Sequence, residues 1–245
     1  MKKLPSGTPV EIFDTLDSTS AEARRRSDSG ETGPLWILAL RQTAGYGRRG
    51  RGWEQDTGDF AGTLLFTPDA PAERWGQLSF VVALALAGAL DEAIGEERIS
   101  LKWPNDVLIE GGKCAGILLE SLGARLSIGI GVNMVTAPQG LSYKTARLVD
   151  YVSPPPGPGA FAASLDTHFQ RFYQQWKTAG FAPIRDAWLA RARGLGSNIT
   201  VRLPNRELAG VFEGIDESGA LILRSRDGTQ TIAAGDVFFS PQREE

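Results

Sequence analysis

The sequence predicts an α/β domain followed by a small all-β unit, and three observations carry that reading. Short apolar runs alternate with helical stretches from Val10 to about Arg193. One stretch, Leu78 to Leu90, is apolar on every side, so it reads as a helix buried inside a layered core. From Asn198 the apolar period changes to two and turn signals recur every few residues, the pattern of a meander of short strands. The boundary falls near Leu195-Gly196, which gives units 1–195 and 196–245.

Each element can be justified in order. Val10 to Phe13 is a first strand, and Asp17-Ser18-Thr19-Ser20 supplies hydroxyls suited to the N-cap of a helix from Ala21 to just before Gly30. Trp36 to Leu40 and Thr63 to Thr67 are strands on either side of a glycine–arginine segment. The buried helix occupies 78–94, and Ile99 to Trp103 is a strand stopped by Pro104 and Asn105. Val107 to Ile109, Gly111-Gly112 and Cys114 to Glu120 form a hairpin, and Leu126 to Val132 is a further strand that ends at Asn133. After a proline cluster at 154–158, Phe161, Leu165, Phe169, Phe172 and Trp176 recur at helical spacing. A second helix is expected from Pro183 to about Arg193. In the last unit, turns at Pro204-Asn205, Asp216 to Gly219 and Asp227-Gly228 separate about five short strands, the signature of a small barrel.

Composition narrows the class. With 42% hydrophobic and 22% charged residues over 245 positions, the chain reads as a soluble globular protein. A net charge of −3 argues against a protein that coats nucleic acid. The single cysteine, Cys114, excludes an intramolecular disulfide and fits a reducing cytoplasm. Lys2 and Lys3 have no apolar run behind them, as a signal peptide would. The 13 apolar residues from Leu78 to Leu90 fall short of the roughly 20 needed to cross a bilayer.

The chemistry concentrates in a few motifs. Between Gln42 and Trp53, glycines 45, 47, 50 and 52 alternate with Arg48, Arg49 and Arg51, and no acid appears before Glu54. So permissive a backbone implies a mobile cationic flap. Its guanidinium forks match phosphate and carboxylate oxygens, so an anionic small molecule is expected. Lys102-Trp103-Pro104-Asn105-Asp106, Lys113-Cys114-Ala115-Gly116-Ile117-Leu118 and Gly129-Ile130-Gly131-Val132-Asn133 follow. Taken singly, each has a plainer reading: a helix cap, a solvated or RNA-contacting loop, a tight turn, or a Gly-x-Gly without the third glycine of a nucleotide fingerprint.

Taken together, Gly-x-Gly-Arg-Arg-Gly-Arg-x-Trp, Lys-Trp-Pro-Asn-Asp and Lys-x-x-Gly-Ile-Leu resemble the biotin protein ligases, over nearly the whole chain. The resemblance implies a catalytic domain with a mixed sheet, distantly like class II aminoacyl-tRNA synthetases, and a C-terminal SH3-like barrel. Because the chain begins directly at the catalytic domain, it resembles the shorter, non-repressor class that lacks an N-terminal winged helix. The implied reaction has two steps. Biotin's carboxylate attacks the α-phosphate of ATP, carried with Mg²⁺, to give biotinyl-5′-adenylate and pyrophosphate. A lysine of a biotin carboxyl carrier protein then attacks the anhydride and releases AMP. Such chemistry needs charge stabilisation and positioning rather than a nucleophilic side chain. The resemblance also implies a cytoplasmic enzyme with no specific nucleic-acid or membrane partner, able to form a homodimer through a sheet edge.

Roles follow residue by residue from the same resemblance. Lys113, Arg48 and Asp106 are the catalytic candidates: Lys113 as the fixed cation at the reacting oxygens, Asp106 as support for Mg²⁺ or the incoming amine. Ser18, Thr19, Ser20, Gln42, Tyr46, Gly47, Arg48, Lys113 and Gly116 are expected around biotin. Arg49, Arg51, Trp53, Asn105 and Asn133 are expected around ATP and the adenylate. No dedicated protein metal ligand is assigned. Lys102 is either an ion-pair partner or a ligand contact. Ser20 stands where the family commonly has asparagine, and Tyr46 where many members have arginine. His168 reads as a helix-surface or packing residue, and Cys114 as a small buried thiol. The alternatives are a lipoate or octanoate protein ligase or transferase of the same fold, a nucleic-acid-binding module, and an inactive regulator.

Overall fold

Strand β2 (Pro9–Phe13) pairs in parallel with β3 (Leu35–Ala39), and the helix α1 (Thr19–Asp28) makes the crossover between them. In this computed structural model, which describes residues 2–95 and 98–239, that unit opens an eight-stranded mixed sheet. The two-residue β1 (Lys2–Lys3) lies on the outer edge. From β3 the sheet continues through β4 (Phe60–Phe66), β8 (Arg125–Val132), β7 (Gly112–Leu122), β6 (Asp106–Ile109) and β5 (Ile99–Lys102), all antiparallel.

The helix α2 (Leu78–Ile94) covers one face, beside α3 (Pro158–Ala179) and α4 (Ala182–Leu189). Its apolar surface is spent on β5, β6 and β7 of the sheet and on the flanking helices α3 and α4, all within one buried cluster. This all-round burial explains why the helix shows so little amphipathic pattern. His168 of α3 packs its ring against Gly88 and meets Glu92 at 2.9 Å, so it is a packing residue as expected. Asp166, fully buried on α3, accepts from Trp36 Nε1 at 2.8 Å and from Ser6 and Thr8 hydroxyls, tying the N-terminal segment down. On the opposite face α1 covers only part of the sheet, through Ala23 on Leu35, Ile37 and Leu65. The remainder of that face carries the candidate site.

The C-terminal unit comprises β9 (Asn198–Arg202), β10 (Glu207–Ile215), β11 (Leu221–Ser225), β12 (Gly228–Ile232) and β13 (Asp236–Phe239). They form an antiparallel sheet in the order β12-β11-β10-β9-β13. After β12 the chain crosses to β9 rather than pairing with its predecessor, so among the described residues the expected barrel is open between β12 and β13. Two backbone carbonyls join this unit to the preceding one: Gly219 O accepts from Trp103 Nε1 at 3.0 Å and Glu217 O from Gln77 Nε2 at 2.9 Å. The second expected helix is also shorter than the sequence suggested. It ends at Leu189, and Arg191 and Arg193 instead exchange backbone hydrogen bonds with Leu101 of β5.

Candidate active site

Glycines create the cavity. Gly116 of β7 and Gly131 of β8 are directly paired, and Gly129 lies two residues away on the same face. Without side chains there, the sheet leaves a hollow of about 280 Å³ beside the start of α1. A Cβ at Gly131 would overlap the Trp53 indole, one at Gly116 would lie 3.2 Å from the same ring, and one at Gly129 would meet Ser20 Oγ at 2.5 Å. These glycines are therefore required by close approach rather than by backbone conformation.

One end of the hollow is neutral and rich in hydroxyls. Ser18 caps α1 by accepting from the Ala21 N–H at 3.4 Å, which holds Thr19 and Ser20 in the first turn. All three are buried. Gln42, at the base of the flap, accepts through Oε1 from the Thr19 N–H at 2.8 Å and from its hydroxyl at 3.2 Å. Thr63 of β4 stands behind them and donates to Thr19 Oγ1 at 2.8 Å.

The other end is cationic. The flap folds back on itself through Trp53 N–H to Gly45 O at 2.9 Å and Gly47 N–H to Arg51 O at 2.8 Å. At its tip, Arg49 takes the left-handed conformation with φ 58°. Side chains then anchor it on several sides. Tyr46 donates its hydroxyl to Glu120 at 3.1 Å, Arg48 donates to Asn105 Oδ1 at 3.0 Å, and Arg49 and Arg51 both reach Asp236 of β13. The glycine content predicts mobility, but these anchors tie the flap to Glu120, Asn105 and Asp236.

Lys113 projects into the same space, with Nζ 2.6 Å from Asp106 Oδ1 and 5.9 Å from the Trp53 ring centre. Its backbone is clamped to the segment after β8: Lys113 N–H donates to Lys144 O at 2.8 Å, and Ala146 N–H to Lys113 O at 2.9 Å. That segment brings Pro138, Leu141 and Tyr143 to the cavity mouth. Burial pulls the Arg48 guanidinium below its usual value, against the charges of Asp236 and Asp106. Burial also lowers Lys102, whose ammonium lies 5.8 Å and 5.7 Å from the Phe238 and Phe239 ring centres. For Asp236, burial raises the carboxyl, but the hydrogen bond and charge of Arg51 outweigh it and the net shift is downward.

The fold thus gathers nearly every residue singled out in the sequence around one cavity, including Gly47, Arg51 and Asn133. Arg49 is turned outward onto Asp236. Two asparagines are more committed than expected. Asn105 spends its amide N–H on Ile117 O at 2.7 Å, and Asn133 directs its amide at Lys113 O and Ala146 O, so both brace the backbone around Lys113. Sequence reasoning missed Asp236, Glu120 and Thr63. The one usable signal was Thr63, a polar residue inside an otherwise apolar strand. Among the described residues no group of three potential metal ligands exists. Asp106 is already neutralised by Lys113 and Asp236 by arginine, so these carboxylates do not fit a resident divalent ion. Cys114, buried behind Lys113, has its thiol pushed up to about 12 by burial, which excludes it as a nucleophile at neutral pH.

Comparison with known proteins agrees with this geometry. Residues 13–133 match the biotin/lipoate A/B protein ligase family, and residues 194–240 match the biotin protein ligase C-terminal domain. A biotin–[acetyl-CoA-carboxylase] ligase of Paracoccus denitrificans is 48% identical, over 91% of this chain and 97% of its own length. The bifunctional ligase/repressor BirA of Bacillus subtilis is 31% identical over 94% of this chain and 74% of its own. In fold, the biotin protein ligase of Aquifex aeolicus in complex with biotin and ATP superposes with a TM-score of 0.83 at 24% identity, covering 94% of this chain and 97% of that one. The chain belongs to the biotin protein ligase family.

Proposed function

We propose that the protein joins biotin to a lysine of the biotin carboxyl carrier protein of acetyl-CoA carboxylase, by way of biotinyl-5′-adenylate. The observation that carries this reading is the polarity of the hollow: buried hydroxyls at one end, and Arg48, Arg51 and Lys113 at the other. A bicyclic urea with a carboxylate tail has the same polarity. Its head suits Ser18, Thr19, Ser20 and Gln42, and its carboxylate reaches toward Lys113.

The residues' work follows from charge. Two anions, a carboxylate and a triphosphate, must be brought together, and cations in a partly desolvated site offset their repulsion. Arg48 and Lys113 hold the carboxylate and the α-phosphate as negative charge builds there. Arg49 and Arg51 draw in the outer phosphates, with Trp53 as a wall between the biotin and nucleotide sides. The second step needs a neutral lysine amine from the carrier. Asp106, held by Lys113, is placed to orient that amine as it attacks. Magnesium enters on ATP as part of the substrate, and no step is assigned to it.

The same reading makes the protein a cytoplasmic enzyme without a nucleic-acid partner. A homodimer through the β1–β2 edge is also part of it, supported by β1 covering only Pro9 and Val10 of β2 and by the exposure of Ile12. The test of function is biotin-dependent AMP formation with a purified carrier domain, comparing biotin with lipoate. Turnover with biotin alone is expected. Turnover with lipoate, or none with biotin, overturns the assignment.

A further inference from the structure

Thr63 is the only polar side chain in β4, a strand buried along its whole length, and it is itself fully buried. Its hydroxyl touches the candidate site only from behind: Thr19 Oγ1 at 2.8 Å and Ser20 Oγ at 3.4 Å. A hydroxyl has one proton to give and two lone pairs with which to accept. Thr63 gives its proton to Thr19, and Thr19 gives its own to Gln42 Oε1 at 3.2 Å. The contact between Ser20 and Thr63 is then a hydrogen bond only if Ser20 is the donor. The protons run in one direction, from Ser20 to Thr63 to Thr19 to Gln42.

That direction determines what the ends present to a ligand. Ser20 has its proton turned into the sheet and offers lone pairs. Gln42 has its oxygen occupied twice and offers its N–H₂ group. Ser18 accepts from the Ala21 N–H and so keeps its proton to donate. The cavity end therefore presents one acceptor and two donors. Ser20 Oγ is seated in the space left by Gly129.

We infer that Thr63 is a positioning residue that sets this polarity, so that Ser20 accepts an N–H of a cyclic urea while Ser18 and Gln42 donate to its carbonyl. The inference rests on the placement of the biotin head proposed above. Backed by Thr63, the single hydroxyl of Ser20 acts as a dedicated acceptor.

Steady-state kinetics on the full chain with a carrier domain test it. Thr63→Val keeps the shape but frees the Ser20 proton to face the ligand N–H. The KM for biotin is expected to rise about tenfold, the scale of one well-placed hydrogen bond. The KM for ATP and kcat should stay within about twofold. Thr63→Ser should restore the biotin KM. A biotin methylated on one ureido nitrogen should be discriminated against less by Thr63→Val than by the parent. An unchanged biotin KM in Thr63→Val, an equal rise in both KM values, or failure of Thr63→Ser to rescue would overturn the inference. Ser20→Ala separates this from the site assignment. If it raises the biotin KM while Thr63→Val does not, only Thr63 fails; if neither moves it, the placement of the head fails as well.

Discussion

Asp236, the first residue of β13, accepts a hydrogen bond from Arg51, and Arg49 reaches the same carboxylate oxygen at 3.1 Å. One acid of the C-terminal sheet thus holds two cations of a flap almost 190 residues away in sequence. This contact, with Tyr46 on Glu120 and Arg48 on Asn105, is why a segment so rich in glycine is folded in place. Both arginines are substantially exposed, so each pair stabilises by no more than about 1 kcal/mol. Asp236→Asn is expected to speed tryptic cleavage at Arg48 to Arg51 several-fold in the absence of ATP, with the melting temperature nearly unchanged. Cleavage at the parental rate would mean that the flap is held without Asp236.

Lys113 and Asp106 form an ion pair in which neither side chain is fully exposed. In the proposed chemistry the lysine faces the developing charge. Lys113→Ala should lower biotin-dependent exchange of pyrophosphate into ATP by about 10²- to 10³-fold, the usual cost of removing one preorganised charge-stabilising group. Lys113→Arg should recover part of that loss. Exchange at near parental rate in the alanine variant would remove Lys113 from the adenylation step.

Much of this was legible in the sequence. The limits of α2 and the positions of most strands along the chain followed from apolar periodicity and turn residues, because those signals are local. The candidate site was legible where chemistry is written in contiguous motifs, as at Arg48 or Lys113. It was not legible where a partner arrives from elsewhere in the fold. Asp236 sits in a meander with nothing to distinguish it from the acids at its turns. Glu120 becomes a flap anchor only because β7 runs beneath Tyr46. The pairing of Gly116 with Gly131, which opens the hollow, depends on the register of β7 on β8.

That register gives a direct steric test. Gly131→Ala requires no unusual backbone conformation, yet its methyl would overlap the Trp53 indole. The strand should fold and the ring should move. Expected results are a melting temperature within a few degrees of the parent, altered tryptophan fluorescence, and KM values for biotin and ATP raised at least about tenfold. Parental kinetics would show that Trp53 does not need its seat on the sheet.

Cys114 offers a test with a defined sign. Burial raises its thiol from 9.0 to about 12, so the folded state favours the protonated form more than the unfolded state does. The stabilisation is fully present below the unfolded value and is lost as pH rises from about 9 toward 12. Denaturant midpoints should therefore fall over that interval, and Cys114→Ala should flatten the decline. The native thiol should also resist alkylation at pH 8 until the chain is unfolded. Rapid labelling of the native protein would contradict its burial.

Asp59 is a buried anchor that the chemistry does not use directly. Nearly all buried, its carboxylate accepts backbone N–H groups from Met134, Val135 and Thr136 at 2.8, 2.7 and 3.0 Å, and the Thr136 hydroxyl as well. It fixes the turn that follows Asn133, and through it the segment whose backbone clamps Lys113. Charge-assisted bonds of this kind are stronger than neutral ones, and removing the acceptor strands buried donors. Asp59→Ala should cost about 2–4 kcal/mol in chemical denaturation. It should also raise hydrogen exchange across residues 134–147 beyond the global change. Asp59→Asn retains one acceptor oxygen and should lie between. A loss of stability without that local change would separate the turn from the placement of Lys113, and the clamp would then have to rest on Asn133 alone.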